Sequence, residues 1–224
     1  MSGALTIGVK CSSRGWLIRI CIAVLGMAVL YFSVDLARRS KASRQAAEDI
    51  NRVLSVVLAI IDYDRTYERI PVNEPNDGWR KKICGGNKKL MTSLFCDRST
   101  TNSLSCSSRI VSLEGAGTAF DQSSVRRFET LPFDLLLLLG RVNIAINPDE
   151  SADVPASLLE NNSDTLGSIL GSSDSIIIVF ADTSVWLVNS QMPANVLAPY
   201  TTIYKEVRPS RERVLAPWLI ARVK

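Results

Sequence analysis

The chain has 224 residues, with 26 Lys or Arg against 22 Asp or Glu and no histidine. Histidine is the commonest general base near neutral pH and the commonest zinc ligand, so its absence argues against many classes of hydrolase and metalloenzyme. The positive excess lies in residues 205–224, where six Lys or Arg stand against Glu206 and Glu212. A basic face for nucleic acid, which needs cations spread over a folded surface, is therefore not expected.

An apolar run near the N-terminus predicts a membrane anchor. Residues 20–34, ICIAVLGMAVLYFSV, carry no charge. With residues 16–19 the run would extend about 28 Å as a helix, against roughly 30 Å for a bilayer core. We expect a cytoplasmic segment at 1–15 and a transmembrane helix at 16–34, with anchor residues Trp16, Ile20, Val24, Leu30 and Val34. The alternatives are a cleaved signal peptide and a buried core helix, but no small-residue cleavage site follows the run.

The next segment, residues 35–70, predicts an amphipathic stem helix. Its apolar residues recur at steps of three and four: Ile50, Val53, Leu54, Val57, Leu58 and Ile61. Pro71 biases the residue before it toward an extended conformation, so the helix is expected to stop there. Asp64 and Glu68 lie beside Arg65 and Arg69 and predict surface ion pairs.

Residues 71–204 predict a β-rich extracytoplasmic domain, and 205–224 a basic C-terminal tail. Short β-branched and apolar runs mark strands at 109–113, 135–139, 142–146, 176–180 and 185–188. Tight hairpins are expected at Gly140-Arg141 and at Ala181–Ser184. The run FDLLLLLG is too short to span a membrane as a helix and predicts a central strand buried on both faces.

The remaining segments complete an α+β fold class, in which a long transmembrane and stem helix precedes a mostly antiparallel sheet. Residues 155–159 predict a short helix, and the Ser-, Asn- and Asp-rich residues 161–175 a loop. Gly115 and Gly117 are expected to be turn glycines, because the lysine of a phosphate-binding loop is missing. For the tail, a final strand or a frayed end is favoured over contact with anionic lipid or a partner.

Several short motifs, in order along the chain, resemble a bacterial family of pilin-like proteins catalogued as domain of unknown function family 1559, also filed under a solute-binding label. They are the stem ending DYDRTYERIP at 62–71, Gly78-Trp79-Arg80, Phe95-Cys96-Asp97, GAGTAF at 115–120 and FADTSVWL at 180–187. The resemblance implies a pseudopilin-like plan: an N-terminus in the cytoplasm, one helix through the bacterial inner membrane and a β-rich domain outside.

Two positions depart from the family pattern. Prepilin-like members carry a glutamate where this chain has Ile20, and that glutamate guides filament assembly, so processing and polymerisation are not implied here. The family's closing hairpin has a glycine where this chain has Thr183. Glycine tolerates a positive φ, so Thr183 predicts either strain or another turn geometry.

The sequence offers few groups for chemistry. Asp149, Glu150 and Asp153 are oxygen donors of the kind that calcium accepts, but their spacing is not that of an EF-hand, so we expect no metal and no cofactor. No catalytic residues are predicted. If the domain lies outside the cytoplasm, two of Cys84, Cys96 and Cys106 could form a disulfide, and Cys84–Cys96 is then the favoured pair; the alternative is that these cysteines are reduced, buried thiols.

These features predict a noncatalytic, membrane-anchored envelope protein that acts through assembly or protein–protein contacts. Its expected partners are the lipid bilayer, other envelope or secretion-type proteins and further copies of itself, but not nucleic acid. The alternative is an anchored module that binds a solute or sugar. Its stacking groups would be Trp79, Trp186 and Tyr200.

Overall fold

The structure is a computed structural model in which the chain divides into two compact units, Met1–Ala47 and Glu48–Lys224. It describes residues 13–72, 74, 78–95, 106–121, 126–146, 153–172, 174–205 and 207–223. The α-helices are α1 (Ser13–Tyr67), α2 (Trp79–Ile83), α3 (Lys88–Phe95), α4 (Ala156–Glu160), α5 (Leu166–Leu170) and α6 (Arg211–Leu215). Short 3-10 helices cover Phe128–Thr130, Ala194–Tyr200 and Ala216–Trp218.

Within the described residues, six strands form one sheet in the order β3-β1-β2-β4-β5-β6. The strands are β1 (Cys106–Glu114), β2 (Leu136–Ile146), β3 (Val154–Pro155), β4 (Ser175–Phe180), β5 (Val185–Asn189) and β6 (Leu219–Val223). The β2, β4, β5 and β6 pairings are antiparallel, while β3 runs parallel to β1 with Leu113 opposite Val154. The sheet is therefore mixed.

The predicted fold class is wrong. None of the helices in the described part of the chain is both long enough and apolar enough to cross a bilayer. The sheet is not simply antiparallel either, because Val154 and Pro155 return beside the end of β1 in the parallel direction. What remains is an α+β domain with a six-stranded mixed sheet and helices.

The second unit buries apolar side chains on both faces of the sheet. One face packs against the C-terminal part of α1 through Val53, Val56, Val57 and Ile60. On the opposite face, α4, α5, α6 and the 3-10 helix at Ala194–Tyr200 cover the second core. The predicted stripe on α1 was one position off in places, since Leu58 is 62% exposed while Val56 and Ile60 are fully buried. Apolar spacing alone does not fix which residues face a sheet.

The apolar run before Gly140 forms a central strand, as predicted. Leu135 to Leu139 are completely buried, because β2 lies between β1 and β4 and both faces of the sheet are covered. The predicted hairpin at Gly140-Arg141 is wrong, however: β2 continues through both residues to Ile146. The register between β1 and β2 shifts between the Ile110–Gly140 and Ser108–Ile144 pairs, and Arg141 has φ 59°, so a β-bulge begins directly after Gly140.

Helix α1 explains why a glycine stands directly before this bulge. A Cβ at Gly140 would lie 2.9 Å from Val53 Cγ2 and 3.1 Å from Ile177 Cβ. The side chain of Arg141 holds the other side of the bulge, with Nε 3.3 Å from Asp49 Oδ2 on α1 and a hydrogen bond to Ser175 Oγ. The missing side chain therefore allows the helix to approach the sheet closely.

Other local predictions had mixed outcomes. The short helix near 155–159 is confirmed as α4, and the hairpin at Ala181–Ser184 is confirmed between β4 and β5. The predicted loop at 161–175 contains helix α5, which Thr165 caps by accepting a hydrogen bond from Ser168. Asp64 is buried instead of forming a surface pair, and its Oδ1 accepts from Phe128 N–H at 3.1 Å.

Candidate interaction surface at the C-terminal strand

The turn between β4 and β5 is built around Asp182. Its Oδ1 accepts hydrogen bonds from Ser184 N–H at 3.0 Å and from Ser184 O–H at 2.6 Å. Thr183 has φ 65°, so of the two alternatives weighed for this turn the strained backbone is the one observed. The turn also lies against the segment before β2, because the Ala181 and Asp182 N–H groups donate to the carbonyls of Leu135 and Phe133. The carboxylate is thus held at a fixed place on the surface.

Arg211, at the start of α6, binds this carboxylate with its two terminal guanidinium nitrogens. Its Nη2 lies 2.5 Å from Asp182 Oδ2 and its Nη1 3.1 Å from Asp182 Oδ1. The same guanidinium stacks over the Phe180 ring at 4.5 Å, a cation–π contact. Two parallel N–H···O bonds to a carboxylate are among the stronger polar contacts in proteins. The C-terminal segment is therefore fastened to the hairpin turn.

A second arginine fastens the strand itself. Arg222 on β6 lies over the Trp186 ring at 4.5 Å and 3.4 Å from Glu212. Trp186 in turn donates its indole N–H to Ser184 Oγ at 3.1 Å. The final strand weighed in the sequence analysis is thus present in the structure as β6, and it pairs with β5.

Most cations of the predicted basic tail have acidic partners. Besides Arg211 and Arg222, Arg208 lies 2.7 Å from Asp134 and Lys205 lies 3.6 Å from Glu160. At least four of the six cations at 205–224 are therefore paired within the domain. The sequence could not show these pairings, because Asp182 is 29 positions from Arg211 and Asp134 is 74 positions from Arg208. Paired cations have less charge to offer an anionic surface.

Strand β6 lies at the edge of the sheet, and every one of its residues is exposed. Three of them are large and apolar, with exposed fractions of 37% for Leu219, 55% for Ile220 and 36% for Val223. Nowhere in the described ranges does another strand pair with its outer side. Exposed apolar edge strands are templates for pairing with another chain, so this edge is the candidate interaction surface.

The interior holds an unpredicted polar cluster that includes one of the metal candidates. Asp153 is buried, and its carboxylate accepts from Arg80 Nη2 at 2.7 Å, from Trp79 Nε1 at 3.0 Å and from Ser112 N–H at 3.1 Å. Arg80 also donates to the Ile110 carbonyl at 3.4 Å. These two side chains meet main-chain groups along β1 that a neighbouring strand would otherwise bind. Asp153 and Arg80 therefore bind the part of β1 that its short pairing with β3 leaves uncovered.

The other metal candidates, Asp149 and Glu150, lie outside the described residues. No group of three or more His, Cys, Asp or Glu side chains suited to a metal ion occurs in the described part of the chain. Cys84 is a free, buried thiol whose pKa burial raises to about 11. The favoured Cys84–Cys96 disulfide is therefore not formed in this structure. Cys96 and the side chain of Cys106 are not among the described atoms, so a Cys96–Cys106 disulfide stays a prediction.

The three aromatic residues proposed as stacking groups are interior. Trp79 packs edge-on against Phe95, Trp186 contacts Phe180, and Tyr200 contacts Phe180 from another side. All three are at most 1% exposed, so they present no face to a solute. The anchor residues Trp16, Ile20, Val24, Leu30 and Val34 lie on α1, and their side chains are outside the described set.

Comparisons with known proteins gave no match for this chain, whether with protein-family models, with curated proteins or with solved structures.

Proposed function

We propose that this chain is a noncatalytic protein of the bacterial cell envelope that acts through protein–protein contacts, with the outer edge of β6 as its contact surface. The single observation that carries the proposal is the exposure of Leu219, Ile220 and Val223 on an edge strand. The envelope location rests on the sequence resemblance to pilin-like proteins. A location at the inner membrane and partners among envelope or secretion-type proteins belong to the same proposal.

Two features of β6 support a contact role over a chance exposure. The strand is fixed by Arg222, whose guanidinium stacks on Trp186, and by the Arg211–Asp182 pair at the start of its segment. A preformed strand loses little conformational entropy on binding, which favours association. Its apolar side chains would leave water when a second strand covers them.

The proposal is tested by the size of the native assembly. Full-length chain is extracted under mild conditions from the cells that make it, and wild type is compared with Ile220→Lys. The control is Leu158→Lys, which puts the same charge on an exposed leucine of α4. We expect wild type and the control to elute in a complex, and Ile220→Lys to elute as the isolated chain. An unchanged elution for Ile220→Lys would refute the contact role of β6.

A further inference from the structure

We propose that a basic stretch of helix α1, residues 38–44, binds the phosphate head groups of anionic lipids. The stretch reads RRSKASR and holds Arg38, Arg39, Lys41 and Arg44 without an acidic residue. This inference rests on the membrane location in the proposed function, and it names the lipid class and the residues that meet it. It does not depend on the β6 edge.

Helix α1 brings the four basic positions close together. It runs without a break from Ser13 to Tyr67, so positions 38 and 44 are only about 9 Å apart along the helix axis. Positions three apart are neighbours on a helix, which places 38, 41 and 44 in a row along one side. Like charges on neighbouring positions repel each other, so an anion beside this row stabilises the helix as it binds.

The described part of the chain supplies no counter-charge to the described cations of this stretch. The side chains of Lys41 and Arg44 are exposed, and neither forms an ion pair with a described carboxylate. Among the described side chains of α1 the first buried one is that of Asp49, which lies beyond the stretch. The C-terminal tail differs, because at least four of its six cations are paired within the domain. The stretch on α1 therefore has more charge to offer an outside anion than the tail has.

The residues before the stretch indicate a lipid surface in preference to other polyanions. Residues 20–34 carry no charge, and the side chains of Tyr31 and Leu36 are exposed close to the basic positions. A lipid surface presents phosphates directly beside an apolar layer, and aromatic side chains are enriched at that boundary. Lysine and arginine strengthen binding when they lie near anionic lipid. Nucleic acids and acidic proteins match the cations alone, whereas anionic lipid accounts for the apolar and the basic segment together.

The test measures the lipid selectivity of the purified full-length chain. The chain is held in mild detergent micelles that contain equal amounts of phosphatidylglycerol and phosphatidylcholine with the same acyl chains. Lipid that co-elutes with the chain is quantified by mass spectrometry and compared with the lipid in micelles without protein. Because the two lipids share their apolar part, the ratio of anionic to zwitterionic lipid reports on the charge contact alone.

Three variants are compared with wild type. The α1 variant removes every charge of the basic stretch through Arg38→Gln, Arg39→Gln, Lys41→Gln and Arg44→Gln. A matched control has the same net charge but loses four exposed cations of the second unit, through Arg65→Gln, Lys89→Gln, Lys205→Gln and Arg213→Gln. A rescue variant keeps the charge of the stretch and changes only its chemistry, through Arg38→Lys, Arg39→Lys and Arg44→Lys.

We expect wild type, the matched control and the rescue variant to be enriched at least about fivefold in phosphatidylglycerol over phosphatidylcholine. The α1 variant should take up the two lipids equally. Salt at about 0.5 M should remove most of the wild-type enrichment, because it screens contacts between exposed charges.

A wild type that takes up both lipids equally would overturn the inference and leave the stretch to a different polyanion. Equal enrichment in wild type and the α1 variant would overturn it too, as would an equal loss in the matched control, which would assign the effect to total charge. These outcomes are separate from the proposed contact role of β6, which fails when Ile220→Lys leaves the native assembly unchanged.

Discussion

Thr183 sits in the left-handed backbone region with φ 65° and an exposed side chain. A β-branched residue in this region costs about 1–2 kcal/mol of stability. Glycine removes that cost but loses more conformational entropy on folding, which offsets about 0.5–1 kcal/mol of the gain. We expect Thr183→Gly to raise the free energy of unfolding by about 0.5–1 kcal/mol in urea titrations. Thr183→Val, which keeps the branched Cβ, should give no gain. If Thr183→Gly were less stable than wild type, the backbone at Thr183 would not be strained in this turn.

Asp153 and Arg80 form a buried ion pair with side-chain exposures of 0% and 1%. Removing one partner leaves an uncompensated buried charge, which costs roughly 3–5 kcal/mol. We expect Asp153→Asn to lose about that much in the free energy of unfolding. The double variant Arg80→Met with Asp153→Asn should lose less than the sum of the two single changes. Additive losses would show that the two side chains act independently, against the geometry.

At the scale of elements, the contact between α1 and β2 depends on Gly140. Added carbon at this position meets Val53 and Ile177 at 2.9 and 3.1 Å, and overpacking typically costs about 1–3 kcal/mol. Gly140→Ala should therefore destabilise the domain. Val53→Ala removes the nearer methyl, so in that background Gly140→Ala should cost clearly less in thermal or urea unfolding. If Gly140→Ala lowered the free energy of unfolding equally with and without Val53→Ala, the side chain of Val53 would not be in contact with position 140.

The attachment of α6 to the β4–β5 turn should depend on pH. Burial alone would raise the pKa of Asp182, but hydrogen bonds from Arg211 and Ser184 outweigh it and hold the pKa below its usual value. A lowered folded-state pKa stabilises the fold above the unfolded value of about 3.9, and this stabilisation is lost as pH falls through the folded pKa.

We expect Asp182→Asn to be less stable than wild type at pH 7 by about 1–3 kcal/mol, since a charged hydrogen-bond pair is lost. The difference should begin to shrink below about pH 3.9, where the unfolded chain binds the proton, and should be lost as pH falls through the lower folded-state pKa of Asp182. Glu212→Gln, at the more exposed pair with Arg222, should change stability by less than about 1 kcal/mol. Urea titrations at several pH values measure the free energy of unfolding of both variants and of wild type. A difference that stays constant down to pH 2 would show that Asp182 is not the titrating group.

For the molecule as a whole, local sequence patterns predicted helices and strands better than they predicted which distant residues contact each other. The β4–β5 hairpin and the doubly buried β2 follow from apolar runs and turn residues. The bulge after Gly140 looked like a hairpin, because a glycine between two apolar runs has the same local pattern in either case. The reason for this glycine is Val53, 87 positions earlier, whose close contact is visible only in the packed structure.

The candidate surface was predicted only in part. The sequence suggested a final strand, but it gave no sign that Arg211 pairs with Asp182 or that β6 is the sheet's edge strand. Such pairings between distant positions have no periodic pattern and arise from the order of strands in the sheet. The same holds for Asp153, which the sequence grouped with Asp149 and Glu150 as a possible calcium donor, while its partner Arg80 lies 73 positions away.

Site-specific photo-cross-linking in intact cells tests the contact role of β6 most directly. A photoreactive amino acid replaces Ile220 on the outer edge, and in a matched strain it replaces Leu158 on α4, which is also exposed. A contact surface at β6 predicts abundant covalent adducts from position 220 and few from position 158. Equal, background-level adduct formation at both positions would contradict it.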